Sequence, residues 1–147
     1  MNADPVLDAL EEQVVCYRRL AKLAELQHEH VRQSRTEELL AVLGQRQQVL
    51  DQVAVLEQSI LPVKRRWSDY LGGLAEQERG KAQGLMAESR QLLEQITTAD
   101  RNDAMVLQQR KLDVAASLRQ TAAARRVSRV YATTAYGSGV GGMDLRK

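Results

Sequence analysis

Residues 5–33 read PVLDALEEQVVCYRRLAKLAELQHEHVRQ, and their spacing decides the fold. Leu7, Leu10, Val14, Tyr17, Ala21, Ala24, His28 and Val31 follow alternating steps of three and four residues. Side chains at those steps line one side of an α-helix, which turns once in about 3.6 residues. The stripe persists for roughly four heptads, and Val6, Leu20 and Leu23 widen it beyond a two-stranded seam. Glu11, Glu12, Arg18, Arg19, Lys22 and Glu25 fall mostly outside it. Asp4 offers an N-cap oxygen, and Pro5 suits the first helical position, where a missing N–H costs nothing.

Downstream, Ser34-Arg35-Thr36 is a short polar joint. Thr36 reads as the next cap, with Glu37 and Glu38 at the positive end of a new helix. Leu39, Leu40, Leu43, Leu50, Val53, Leu56, Ile60 and Leu61 carry the helical period onward. So brief a joint predicts two antiparallel neighbours, each about 40 Å long at about 1.5 Å per residue. Pro62 kinks the second helix or starts a further segment with Trp67, Tyr70 and Leu71, which Gly72-Gly73 ends. Trp67 and Tyr70 share a helical face and predict a cap on the bundle core, or else a partner contact. Gly80 and Gly84 predict a loop or frayed start before the clear helix at Leu85, Leu92, Leu93 and Ile96. The expected fold is all-α: an antiparallel helical hairpin extended to a three- or four-helix bundle, with a long C-terminal helix and a flexible tail. Its expected organisation is one bundle domain over 1–130, with helices near 5–33, 37–61, 62–71 and 82–130. A Gly-rich tail over 131–147 follows, with four glycines between Gly137 and Gly142.

Composition agrees. Twenty leucines and 15 glutamines, no phenylalanine and two prolines belong to long helices rather than to a sheet. The formal charge of +2 conceals a split: from Arg101 onward nine cations meet three anions, giving +6, which leaves −4 for the first hundred residues. A basic C-terminal arm on an acidic body invites an acidic partner, a membrane surface or nucleic acid. Cys16 is the sole cysteine, so no intrachain disulfide forms, and a reducing cytoplasm is the expected compartment. The first residues lack the basic and apolar regions of a signal peptide, and no apolar run approaches the ~18 residues of a membrane span.

No residues point to catalysis. His28 and His30 lie two apart, about 200° around a helix, so their imidazoles cannot share an ion. Cys16 has no histidine near it in sequence. Gly-rich phosphate loops and nucleophile-elbow patterns are missing from the chain. The expectation is a binding protein with no catalytic, cofactor or metal site. Beyond Asp103, Met105, Leu107, Leu112, Val114 and Leu118 form no single stripe, and the alanines among them bury little area. At about 25 cal/mol per Å² such a helix is held weakly. Arg119, Arg126 and Arg129 share a face, which is either solvated or meets an acidic partner. Nucleic acid is not the expected partner, since no stacking aromatics interleave with these charges. Tyr131 and Tyr136 either have no role or dock a short segment into another protein's groove.

The order of features resembles a family. A first helix opens at Val6-Leu7 and Glu11-Glu12, and a turn leads into Thr36-Glu37-Glu38-Leu39-Leu40. A Gln-rich helix, Gln45-Arg46-Gln47-Gln48-Val49-Leu50, and a polar helix closing on Tyr136-Gly137-Ser138-Gly139 follow. The chain is similar in this to the FlgN-type flagellar export chaperones. The resemblance implies a cytoplasmic all-α chaperone that holds the C-terminal helical segment of hook–filament junction proteins until type III export. It implies that the C-terminal helix, here about Met105–Val130 with Met105, Leu107, Leu112, Val114, Leu118, Arg119 and Arg126, grips the client. It also implies that Tyr131 or Tyr136 docks to the export-gate membrane protein. A monomer or weak homo-oligomer without stable membrane insertion is expected. The alternative is a structural coiled-coil protein that oligomerises through its seams and anchors its basic arm on an acidic partner or membrane surface.

Overall fold

Asp4 starts the first helix in the predicted way. In the computed structural model its carboxylate accepts hydrogen bonds from the amides of Val6 (2.8 Å) and Leu7 (3.4 Å), with Pro5 in the first turn. The structure describes residues 4–137, with side chains to residue 133. Its elements are α1 (Pro5–Arg32), α2 (Thr36–Lys64), α3 (Trp67–Gly72) and α4 (Glu76–Gly137), with no strand among the described residues. The protein is an all-α helical bundle. The chain forms two compact units, Met1–Val106 and Leu107–Lys147, and α4 contributes to both.

In the first unit α1 is the central helix: it has twelve buried residues against three in α2. The predicted stripe is buried from Leu7 to Val31 except at His28, and Ala9, Gln13, Cys16 and Leu20 broaden it to about half the helix circumference. Gln13 donates to Glu57 (2.9 Å) and Arg46 pairs with Gln27, so α2 runs antiparallel to α1. Arg18 binds Glu88 and His28 binds Asp103, so this part of α4 runs parallel to α1. Two apolar clusters fill the interior. Leu7, Leu10, Ile60 and Ala82 centre one, and Tyr17, Leu20, Val49 and Ile96 centre the other. Each large aliphatic buried there contributes roughly 1.5–3 kcal/mol.

The joint between α1 and α2 uses a left-handed residue. Ser34 has φ 56°, its amide donates to the carbonyl of Val31 (3.2 Å), and that of Arg35 donates to His30 (2.9 Å). These are the two bonds of a Schellman motif. Thr36 is therefore the first residue of α2 rather than its cap, and the N-cap position, Arg35, contributes no side-chain bond.

Pro62 lies inside the last turn of α2, which continues to Lys64, so the next helix begins at Trp67 rather than at Pro62. Trp67 and Tyr70 pack with ring centroids 5.5 Å apart against the Leu7–Ile60 cluster, closing that end of the core. The Tyr70 hydroxyl donates to the second oxygen of Asp4 (2.9 Å).

α4 begins at Glu76, earlier than the glycines suggested. Arg79 donates to the carbonyls of Leu71 (2.9 Å) and Leu74 (3.0 Å), while Ala82, Leu85 and Met86 join the apolar cluster. Those contacts outweigh about 1 kcal/mol of lost propensity at each of Gly80 and Gly84. At its other end α4 carries on through residues 131–137, which composition assigns to the tail. Alanine and threonine between the two tyrosines hold no breaker before Gly137, and adding a residue to a formed helix is cheap. The rest of the expected tail lies outside the described residues.

Candidate partner-binding helix

In the second unit no described residue is buried. Leu107 is 43% exposed, Leu112 52%, Val114 60% and Leu118 66%, and Met105, at the end of the first unit, is 66% exposed. All five residues singled out from sequence stand on α4 with their apolar surface in water. At about 100° per residue, Leu107, Val114 and Leu118 fall within roughly 40° of one another. Leu112 lies about 160° from Val114, in line with Ala116, Ala123 and Val130. The five therefore divide between two lines instead of sharing one groove-forming face.

Arg119 and Arg126 are exposed and share a face, with Arg129 about 60° from Arg126. Tyr131 is exposed on the same helix. Tyr136 falls within α4, but its side chain lies outside the described residues. Counted by unit, residues 1–106 hold 13 cations and 17 anions, or −4, and residues 107–147 hold 8 and 2, or +6. The charge division seen in the sequence thus follows the unit boundary.

A polar cluster in the first unit escaped the sequence reading. Arg46 of α2 donates to both oxygens of Asp100 (2.6 and 2.7 Å) and also binds Gln27. Asp103, only 2% exposed, accepts from Gln27 (3.0 Å) and contacts His28 Nδ1 at 2.8 Å. One network thereby ties α1, α2 and α4 together. Its partners lie between 19 and 76 residues apart in sequence, so no local pattern could reveal them. The hydrogen bonds that Arg46 donates to Asp100 first, and then the negative charges of Asp100 and Asp103, favour its charged guanidinium over the opposing effect of burial. His28 thus faces a carboxylate on a neighbouring helix.

A groove of about 290 Å³ between α1 and α4 is lined by Ala21, Ala24, Ile96 and Ala99 together with the polar Glu25, His28, Gln95 and Asn102. Burial pushes the Cys16 thiol up, which keeps it protonated and poorly nucleophilic at neutral pH. Among the described residues no three His, Cys, Asp or Glu side chains are placed to hold a metal ion, and no helix is long and apolar enough to cross a membrane. Comparison with family models, curated proteins and solved structures finds no match to this chain.

Proposed function

We propose that this is a non-enzymatic, cytoplasmic binding protein of the FlgN type. In this reading it takes the C-terminal helical segment of hook–filament junction proteins on the helix that follows Val106 and keeps them export-competent. The observation that carries it is the exposure of Leu107, Leu112, Val114 and Leu118 on a helix whose unit buries none of its described residues. Apolar side chains held in water on a helix fit recognition of a partner helix that buries them. Arg119 and Arg126 beside them favour a segment carrying carboxylates and speed its association. Tyr131 or Tyr136 docks to the export-gate membrane protein.

The test is truncation after Val106, which keeps both apolar clusters and the Asp103 network. The shortened protein is expected to retain its helical circular dichroism and to lose the junction-protein C-terminus in pull-down. Retained binding overturns the assignment. A second reading, coiled-coil oligomerisation, draws on Leu40, Leu43, Leu50 and Leu61, which α2 leaves 41–62% exposed. A stable oligomer that does not dissociate on dilution in sedimentation would favour it, and a monomer the chaperone.

A further inference from the structure

We propose that the helix after Val106 is clasped on two opposite sides by an acidic helical hairpin of its partner, rather than lying in a single groove. Two-sided capture rests on that helix being the grip. The first line consists of Leu107, Val114 and Leu118, and the second of Leu112, Ala116, Ala123 and Val130. They stand about 160° apart around the axis. A partner helix covers an apolar stripe of roughly 100°, so one helix leaves the other line in water. Leu112 and Val130 are 52% and 64% exposed, as open as the first line. Two helices are needed to cover both.

The arc between the two lines sets the partner's charge. On one side it carries Lys111, Arg119, Arg126 and Arg129, all exposed. The opposite side holds Asp113 and the uncharged Ser117, Gln120 and Ser128 with one cation, Arg110, and Arg125 stands on the first line itself. Both partner helices border the cationic arc, so carboxylates along that edge of each complement it. The same helix of a second copy is disfavoured, because residues 107–137 hold six cations and one anion and so bring +5 against +5. The α1–α2 hairpin of a second copy has the right charge, but α1 spends its apolar arc inside its own bundle.

The probe is a synthetic two-helix hairpin with leucines on its inner faces and glutamates along its edges, titrated calorimetrically into the full-length protein. A lysine-edged version serves as control. Two double variants, Val114→Ala/Leu118→Ala and Leu112→Ala/Val130→Ala, each remove one line while keeping helix propensity, which circular dichroism checks. The glutamate-edged hairpin is expected to bind and the lysine-edged one to fail, with each double variant weakening binding at least about tenfold. If only one line matters, two-sided capture is overturned and the grip stands. If neither line matters, or neither probe binds, the assignment of the grip falls with it. Self-association that competes with the probe overturns the proposal in favour of a second copy.

Discussion

Ser34 shows what a single residue contributes to this fold. It occupies the left-handed region at φ 56°, where a Cβ meets the following carbonyl and costs roughly 1–2 kcal/mol. Glycine at that position removes the clash but makes the unfolded chain more flexible, an offset of about 0.4–1 kcal/mol. Relief is the larger effect. Ser34→Gly is therefore expected to stabilise the protein by about 0.5–1 kcal/mol, read as a higher urea midpoint at unchanged slope. An unchanged or lower midpoint would mean that the turn carries no strain. Asp4 is used twice at the same scale, one oxygen capping α1 and the other receiving the Tyr70 hydroxyl. The cap was readable from Asp4-Pro5, but the second bond was not, because Tyr70 is 66 residues away.

At the scale of elements, α3 has six residues and cannot persist as an isolated helix. Tertiary contacts hold it: Trp67 and Tyr70 on the core, and Arg79 on the carbonyl of Leu71. Burial first, and then the hydrogen bond to the Asp4 carboxylate, push the Tyr70 phenol well above its usual value. The folded protein thus keeps a proton that the unfolded chain releases near pH 10. Stability from this group is complete below about pH 10 and declines as pH rises toward the folded value. Tyr70→Phe is expected to cost about 1 kcal/mol at neutral pH and to flatten part of the alkaline decline in thermal midpoint. Tyr17, also raised chiefly by burial, accounts for another part. An alkaline profile identical to the parent's would show that the Tyr70 bond contributes nothing. The same contacts explain what was legible. The stripe of α1 was plain because a central helix must be apolar over a wide arc. The start of α4 was not, because Ala82 and Leu85 hold a segment that Gly80 and Gly84 argue against locally. Pro62 misled for a related reason: in the last turn of α2 it forfeits one bond without ending the helix.

The whole molecule divides its cohesion unevenly, and this is where the candidate site was most legible. Leucine, valine and isoleucine are packed into the first unit, and both apolar clusters and the Asp103 network lie there. The second unit has no buried residue among those described, so its helix depends on propensity rather than on packing. Such a helix lacks the tertiary packing that supplies most helical stability in proteins. No single stripe is legible in its sequence, because its apolar residues stand in two lines on opposite sides. Native-state hydrogen exchange measures the unevenness directly, because each amide reports the free energy of the opening that exposes it. Amides around Tyr17, Val49 and Ile60 are expected to open only with the first unit, and those from Leu112 to Arg126 by local melting. The first group is expected to exchange at least about a hundredfold more slowly, the factor given by about 2.8 kcal/mol of additional stability. Binding of an acidic helical partner should slow exchange in the second group and leave the first unchanged, since binding stabilises only the conformation it captures. Equal protection of the two groups in the free protein would mean that the basic helix is already covered, and would remove the reason to assign a partner to it.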